Sequence, residues 1–459
     1  MTSYNHFQSD NKKYDYKESR TDIYNPDFTP TVSARGVKES DMFTRNLRKW
    51  YDVISWAKWF PDLWYDLITP ETGGIRLDLD QRVFLRSIAR FISVYGVFPR
   101  GYGKCVAGDT YLFTEDGLKE IGEYFNYMST GKEFYVSQNI GLLNRDGIIE
   151  TSDKGVYSGY LDTKKIVTEE GYEIEGTSEH PLLVMSDAGY LVFKKMQDIQ
   201  KGEYVAISRS GNLWGNKTGL NLSGLDKWFN TLSRQSKSHF KERNLPNTLD
   251  EDIALLIGYL IGDGCLTRDN VILFSNKDED IVNNTARIFE EKFNAKLLKK
   301  QGNNVDYTVF DKYLRKYFDV IGLKQVDAYH KVIPTCILSA PKNMVAKTLQ
   351  GLFDTDGTVD KVSVSFSSVS DKLIKQVQIL LLNFGIVSTV LMKQSGKFKS
   401  KILFIYGENI DKFNECIGFS CSRKQNKLDA ISGIKRNTNK DIIPYQNNNI
   451  IAFYNDVKQ

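Results

Sequence analysis

Histidine and cysteine are scarce in this sequence of 459 residues, which contains four histidines and five cysteines. Four histidines are too few for a histidine-rich metal centre. The cysteines show no metal-ligand spacing, and cytosolic chains rarely pair cysteines as disulfides. They stand at Cys105, Cys265, Cys336, Cys416 and Cys421. The sequence therefore predicts neither a cysteine-held metal site nor a disulfide-stapled fold.

Long apolar runs are also absent. No stretch is long enough to span a membrane, and the chain does not begin with a signal-peptide pattern. We therefore expect a chain that stays in the cytoplasm and has no membrane partner. Apolar residues make up 41% and charged residues 26%, as in globular proteins, and the length suits two to four domains. From Asp250 onward, 29 Lys and Arg against 24 Asp and Glu give a mild positive bias that suits DNA.

The sequence changes character at Lys104. A buried strand is predicted at 91–98, and Pro99-Arg100-Gly101-Tyr102-Gly103-Lys104 follows it in the manner of a phosphate-binding loop. Such a loop continues with Ser or Thr and a helix, but here Cys105 and a β-rich run follow. Phe98 stands where the first glycine of the loop belongs, so a plain turn is the alternative. The simplest interpretation is a second protein inserted after Lys104.

Residues 1–104 resemble the amino-terminal part of a bacteriophage terminase large subunit, the DNA-packaging ATPase. The resemblance implies an α/β fragment that ends in a phosphate loop, with the adenine read by Gln81. A surface helical glutamine is the commoner alternative. The implied nucleotide-binding residues are Gln81, Arg100, Gly101, Gly103 and Lys104. Because the acidic residues of an ATPase do not follow, we expect ATP to act only in the spliced host protein.

Residues 105–210 resemble the amino-terminal part of an intein splicing domain of the Hint type, which is all-β. The resemblance rests on Cys105-Val-Ala-Gly-Asp109-Thr and on Gly176-Thr177-Ser-Glu-His180-Pro. It implies that Cys105 attacks the carbonyl carbon of Lys104 and moves the acyl group from nitrogen to sulfur. His180 would protonate the departing nitrogen, and Thr177 would hold the strained peptide. A surface turn is the alternative for His180 taken alone.

Inteins end in His-Asn followed by Cys, Ser or Thr, whereas this sequence stops at Asp456-Val-Lys-Gln459. The sequence is therefore interpreted as a truncated reading frame, or as a chain whose C-terminal part a partner chain supplies. Residues 445–459 would be a truncated return toward the splicing domain, which is predicted to be incomplete. Residues 211–249 are predicted to be a linker or an accessory DNA-contact region.

An internal duplication dominates residues 250–444. Leu256–Gly264 matches Leu349–Gly357, so that Asp263 and Asp356 are 356 − 263 = 93 residues apart. Each copy has two small residues, either two glycines or a glycine and a threonine, four residues apart. This spacing predicts two helices, each with a stripe of small side chains, that pack closely. The aspartates would then meet at one edge, where a cation is needed to offset their repulsion. Carboxylate oxygens favour Mg²⁺.

This pattern resembles the two-motif LAGLIDADG (DOD-type) homing endonucleases. The resemblance implies an α+β fold with a pseudo-twofold axis, a saddle of two sheets over double-stranded DNA, and metal ligands at Asp263 and Asp356. Lys331 and Lys440 would neutralise charge near the scissile phosphates. Predicted phosphate contacts are Lys296, Lys299, Lys300, Lys393, Lys397, Lys399 and Lys401.

The sequence thus predicts a multidomain chain whose main activity is Mg²⁺-dependent, site-specific cleavage of double-stranded DNA, with splicing initiated at Cys105. The expected setting is a phage-infected or prophage-carrying bacterial cell. One alternative is a decayed insert, maturase-like or inert, that binds DNA without cutting it. Another is a chain that is primarily an ATP-binding terminase fragment.

Overall fold

The computed structural model describes residues 105–125, 134–136, 140–144, 147–152, 155–302, 305–395 and 398–434, with scattered positions in 54–86 and 444–454. The chain divides into two compact units. One comprises Met1–Tyr102, Pro181–Ala206 and Pro444–Gln459, and the larger comprises Gly103–His180 and Ile207–Ile443. The domain boundaries expected from the sequence, at residues 104, 210, 249 and 444, stay predictions.

The larger unit begins with short antiparallel strands, as the punctuation by Gly and Asp predicts. One sheet has the order β2-β1-β4-β5, and two antiparallel two-stranded sheets, β3 with β6 and β7 with β8, accompany it. The strands are β1 (Tyr111–Thr114), β2 (Gly117–Glu120), β3 (Phe134–Val136), β4 (Ile140–Leu143), β5 (Ile149–Ser152), β6 (Gly155–Tyr157), β7 (Thr163–Val167) and β8 (Glu173–Thr177). Val106 forms an isolated bridge with Gly176, which ties the residues after Cys105 to β8.

The described part of the smaller unit contains an antiparallel hairpin of β9 (Pro181–Met185) and β10 (Leu191–Lys195). Val184 in β9 also bridges to Val205. Elsewhere in this unit, the buried Asp62 carboxylate accepts a hydrogen bond from Arg86 at 2.7 Å.

Helices α1 (Ser223–Thr231) and α2 (Arg234–Ser238) lie just before the duplication. Aromatic side chains hold this pair against the first repeat, because Phe229 lies 5.1 Å and Phe240 5.5 Å, centroid to centroid, from the ring of Tyr313. Part of the predicted 211–249 linker is therefore packed structure.

The duplication appears as two copies of one topology, as the sequence predicts. The two four-stranded sheets have the orders β11-β12-β14-β13 and β15-β16-β18-β17. The first copy contains α3 (Glu251–Gly262), β11 (Gly264–Cys265), β12 (Val271–Ser275), α4 (Glu279–Phe293), β13 (Leu298–Lys299), β14 (Asp306–Phe310) and α5 (Lys312–Val320). After α6 (Thr335–Leu338), the second contains α7 (Lys342–Asp356), β15 (Gly357–Val359), β16 (Ser363–Ser368), α8 (Asp371–Asn383), β17 (Ser388–Ser395), β18 (Phe398–Tyr406), α9 (Asn409–Cys416) and α10 (Ser422–Ile431).

Helices α3 and α7 pack together at the centre of the larger unit. All residues from Ile253 to Ile261 are buried, as expected of a helix that is apolar on every side. A Cβ atom at Gly351 would lie 2.6 Å from the Leu255 carbonyl oxygen, and one at Gly258 would lie 2.9 Å from Gly351 Cα. These glycines let the two backbones touch. The predicted close packing of the stripes is therefore confirmed.

Hydrogen bonds join the segment of residues 111–177 to the second repeat. Val390 in β17 donates its N–H to the Glu170 carbonyl oxygen at 2.9 Å, and the Gln378 amide donates to the same oxygen at 3.0 Å. The Tyr172 hydroxyl accepts from the N–H of Ser388 at 3.2 Å. These contacts anchor the loop between β7 and β8 to α8 and β17.

Within the described residues, none of the helices combines the length and the apolar character that crossing a membrane requires.

Candidate functional site

The two aspartates of the duplication meet where their helices end. Asp263 is the C-cap residue of α3, and Asp356 is the last residue of α7. A Cβ atom at Gly262 would lie 3.3 Å from Asp356 Oδ2 and 2.7 Å from Thr355 Cβ. The absence of a side chain at Gly262 therefore makes room for the Asp356 carboxylate beside Asp263. The structure brings these two predicted residues together.

Both carboxyl groups are held in an environment that disfavours their charge. Burial, and then the neighbouring Asp263 carboxylate, raise the pKa of Asp356 to about 6. Burial also raises the pKa of Asp263, although Asn276 donates a hydrogen bond to its Oδ2 at 2.6 Å. Two desolvated carboxylates side by side are the arrangement that a bound cation stabilises.

Lys331, whose role near the scissile phosphates stays a prediction, lies beside the aspartates. Its ammonium group donates to the carbonyl oxygens of Gly262, at 2.7 Å, and Gly264, at 3.4 Å, on either side of Asp263. Burial lowers the pKa of Lys331, whereas the carboxylates of Asp356 and Asp263 act in the opposite direction. Lys331 therefore caps the end of α3 and brings positive charge to the carboxylate pair.

Lys424 holds the corresponding place in the second repeat, although it is absent from the residues predicted from the sequence. Its ammonium group donates to the carbonyl oxygens of Gly357 at 2.7 Å and Phe353 at 3.1 Å, and also to that of Asp354. Burial lowers the pKa of Lys424. The signal was available: 424 − 331 = 93, the offset that separates the two aspartates. Lys440 was chosen because, like Lys331, it precedes a proline by a few residues. Lys440 lies outside the described residues.

A cavity of about 310 Å³ opens next to Asp263. Its lining combines polar side chains with four cationic ones, three of them on α10. The lining residues are Asp263, Ser275, Asn276, Lys277, Asp278, Thr355, Gly357, Thr358, Val359, Arg423, Lys424 and Lys427. Arg423 forms an ion pair with Asp278 at 2.9 Å, which links α10 to the start of α4. Cationic walls beside a carboxylate suit an anionic ligand that arrives with a metal ion.

The described lysines predicted to contact phosphates lie in or next to β13, β17 and β18. Lys296, Lys299, Lys393 and Lys399 are exposed, and β13 and β17, which carry Lys299 and Lys393, are the outermost strands of their sheets. Two others form ion pairs, Lys300 with Asp306 at 3.7 Å and Lys401 with Asp371 at 3.0 Å. Lys397 lies outside the described residues. The role of this set stays a prediction.

The residues predicted for splicing lie around one turn at the end of β8. The N–H of Thr177 donates to the Cys105 carbonyl oxygen at 2.9 Å, and the Thr177 hydroxyl donates to the same oxygen at 3.4 Å. The N–H of His180 donates to the Thr177 carbonyl oxygen at 2.9 Å. Cys105 Sγ lies 3.3 Å from Ser158 Oγ, a neighbour that the sequence motifs did not predict.

The predicted nucleotide site cannot be placed in the same way. Gln81, Arg100, Gly101, Gly103 and Lys104 all lie outside the described residues. Their binding to ATP in a spliced host stays a prediction.

Comparisons with known proteins match this chain to parts of proteins that have different names. The sequence is 29% identical over 358 residues to the replication factor C small subunit of Methanocaldococcus jannaschii, which covers 75% of this chain and 18% of that protein. It is 23% identical over 372 residues to the replicative DNA helicase DnaB of Rhodothermus marinus, covering 74% of this chain and 35% of that protein. A DNA gyrase subunit of Mycobacterium kansasii is 26% identical over 307 residues, with 63% of this chain and 50% of that protein covered. The chain thus spans half or less of the length of these relatives.

Solved structures match part of this chain, and a family model matches residues within the second repeat. The homing endonuclease I-WcaI bound to its DNA recognition sequence is 16% identical, with 46% of this chain and 94% of that chain covered and a TM-score of 0.31. I-DmoI in complex with DNA and Ca is 17% identical, with 36% and 88% covered and a TM-score of 0.29. The model of the LAGLIDADG-like domain matches residues 343–418. Within those residues, the chain contains a LAGLIDADG-like domain.

Proposed function

We propose that residues 250–434 form a site-specific endonuclease that hydrolyses both strands of double-stranded DNA with a divalent metal ion. The observation that carries this proposal is the pair of partly buried carboxylates at the ends of α3 and α7, accompanied by the partly buried Lys331 and the buried Lys424. Structural ion pairs bring opposite charges together, whereas this arrangement brings two like charges together. Sites of that kind are typical of function rather than of stability.

The residues present fit a magnesium ion whose coordination is completed by substrate. Within the described part of the chain, no group of three or more His, Cys, Asp or Glu side chains is arranged to hold a metal. Mg²⁺ commonly takes one or two carboxylates and completes its shell with water and phosphate oxygens. Asp263 and Asp356 would supply the carboxylates. The ion would supply an activated water and stabilisation of the leaving oxygen in phosphodiester hydrolysis.

The surrounding side chains of the protein position these carboxylates and balance the charge of the substrate. The amide of Asn276 fixes the rotamer of Asp263 by its 2.6 Å hydrogen bond. Lys331 and Lys424 are held by helix-end carbonyl oxygens, so their positive charges are already placed before a phosphate arrives. Each lysine serves one repeat. A protein with a pseudo-twofold axis can thus address the two antiparallel strands of a duplex, which are related by a similar axis.

The test is a cleavage and binding assay on the uninterrupted host gene, in which codon 104 continues directly into the host sequence. We expect wild-type protein to make a double-strand break only with Mg²⁺. Asp263→Asn and Asp356→Asn should each lower the cleavage rate by at least about 100-fold while retaining DNA binding. Specific binding by wild-type protein without cleavage at any Mg²⁺ concentration would support the decayed insert instead.

We also propose that Cys105 begins protein splicing by an N-to-S acyl shift. The support is a pair of hydrogen bonds, in which the N–H and the hydroxyl of Thr177 both donate to the carbonyl oxygen of Cys105. These bonds hold the backbone of Cys105, whose thiol is the proposed nucleophile. His180, one turn away, is the proposed proton donor. The differing names of the relatives, each matched over part of its length, also suit a segment inserted into unrelated hosts. A terminase host for residues 1–104 is part of this proposal.

A thiol-release experiment tests the acyl shift. Dithiothreitol should cleave the thioester and release residues 1–104 as a separate fragment. Cys105→Ala should abolish the release and His180→Ala should slow it by about 10- to 100-fold, the usual contribution of a positioned acid. Release that persists in Cys105→Ala would contradict the proposal.

A further inference from the structure

Asp354 is a buried carboxylate that neither proposed activity uses directly. It lies in α7, two residues before Asp356, and is 1% exposed. One carboxylate oxygen accepts from the Ser420 hydroxyl at 2.6 Å, and the other accepts from the N–H of Ser420 at 3.0 Å and of Cys421 at 3.3 Å. The buried charge is therefore fully engaged with the segment that precedes α10.

These contacts cap α10 from a different helix. Cys421 is the N-cap residue of α10, and its own side chain makes no capping hydrogen bond. Helix N-termini leave N–H groups that need acceptors, and a carboxylate there also meets the positive end of the helix dipole. Asp354, from α7, supplies both the hydrogen-bond acceptors and the negative charge.

A second contact joins the first turn of α10 to the last turn of α7. Lys424 lies on that first turn, and its ammonium group binds the carbonyl oxygens of Phe353 and Gly357, on either side of Asp354. The end of α7 and the start of α10 are thus joined twice, once by the Asp354 carboxylate and once by Lys424. Loss of the first connection frees the helix that carries the second.

The first repeat holds its lysine by other means. The residue that corresponds to Asp354 is Ile261, since 354 − 93 = 261, and it is buried in the core. Lys331 lies in an extended segment after a 3-10 helix, and its carbonyl oxygen accepts from the Ser370 hydroxyl at 2.7 Å. The two otherwise similar half-sites therefore position their lysines through different contacts.

We propose that Asp354 is a positioning residue that places Lys424, and that it supports cleavage of one DNA strand and not of the other. This inference rests on the proposed nuclease function. The Tyr259 hydroxyl, 2.6 Å from Ser420 Oγ, links the same contact to α3 of the first repeat but does not reach Lys331.

The test is strand-resolved cleavage of a duplex that carries a different fluorescent label on each strand. Asp354→Asn keeps the shape and removes the charge of the acceptor. It should slow cleavage of one strand by about 10- to 100-fold, because hydrogen bonds to a charged group contribute on the order of 1.5–3 kcal/mol. Lys424→Met should slow that same strand, and Lys331→Met should slow the opposite strand. Nicked DNA should accumulate in all three variants.

Asp411→Asn is the matched control, because Asp411 also accepts from a backbone N–H, that of Gly433 at 2.7 Å, just after the other end of α10. It should leave the cleavage of both strands unchanged. Equal slowing of both strands in Asp354→Asn would overturn the proposal and indicate a general structural role.

A second measurement does not depend on cleavage. Acetylation of lysines by a water-soluble reagent, followed by mass spectrometry, should show Lys424 labelled several-fold faster in Asp354→Asn, with Lys331 unchanged. Unchanged labelling of Lys424 would overturn the positioning role even if the wild-type protein cuts DNA. Wild-type protein that cuts neither strand would instead refute the proposed function.

Discussion

At the scale of single residues, the site contains two neighbouring carboxylates whose negative charges are only partly balanced by nearby lysines. Asp263 and Asp356 are both partly buried, and the ammonium groups of Lys331 and Lys424 donate to carbonyl oxygens rather than to these carboxylates. The fold therefore carries an electrostatic cost that a bound divalent ion would remove. Such a cost has a pH dependence whose sign can be stated.

The pKa of Asp356 in the folded protein, about 6, lies above its ordinary value of 3.8. At Asp356 the folded state therefore holds more protons than the unfolded state between these values, and the contribution of this residue to the stability of the metal-free protein falls as pH rises from about 4 to above 6. The full effect corresponds to roughly 3 kcal/mol. Because protons compete with the metal, we expect Mg²⁺ to raise the Tm more at pH 8 than at pH 5.

Thermal unfolding with and without Mg²⁺ measures this effect. Asp356→Asn should raise the Tm of the metal-free protein at pH 8 and abolish most of the gain from Mg²⁺, whereas Asp411→Asn should change neither. An equal Mg²⁺-dependent gain at pH 5 and pH 8 would show that Asp356 is not a ligand.

At the scale of elements, the site depends on how closely α3 and α7 approach. Gly258→Ala would place a methyl group within 3 Å of the α7 backbone, so the helices would have to separate. Overpacking of this kind costs about 1–3 kcal/mol or more. We expect a corresponding loss in the free energy of unfolding, measured by urea titration, together with reduced cleavage.

Gly224→Ala is the control for this substitution. Gly224 lies in α1, where a Cβ atom would meet only Val320 at an ordinary 3.6 Å. Since alanine is favoured over glycine in helices and Gly224 is the second residue of α1, this variant should be at least as stable as the wild-type protein. If Gly258→Ala behaved like Gly224→Ala, the close approach of the helices would not be essential.

At the scale of the whole molecule, the proposed function requires the duplicated sheets to contact a long DNA duplex. Exposed Lys393 in β17 is the sharpest probe of that surface, because its ammonium group is not committed to an ion pair within the described residues. Lys393→Gln should weaken DNA binding and reduce the slope of log K against log[salt] by about 1. Lys412→Gln on α9, where Lys412 pairs with Glu408 at 3.4 Å, should leave the slope unchanged. An unchanged slope for Lys393→Gln would remove β17 from the DNA interface.

The sequence predicted the duplication and the meeting of Asp263 with Asp356 because both follow from a local nine-residue pattern. The glycine spacing, four residues apart, fixes which helix faces can touch. The constant offset of 93 residues between the repeats would have predicted Lys424 as the counterpart of Lys331. The alignment of the nearby prolines led to Lys440 instead. The contact of Asp354 with Ser420 joins residues 66 apart, and that of Cys105 with Ser158 joins residues 53 apart. No local pattern encodes such contacts, so they required the structure.

The central claim is that a divalent-ion site at the ends of α3 and α7 performs the cleavage. The most direct measurement replaces Mg²⁺ with Fe²⁺ in the protein–DNA complex and generates hydroxyl radicals with ascorbate and peroxide. Chain breaks in the protein should then cluster near Asp263 and Asp356, disappear with excess Mg²⁺, and be absent in the double variant Asp263→Asn/Asp356→Asn. Breaks at other positions, from a protein that still cuts DNA, would contradict the account.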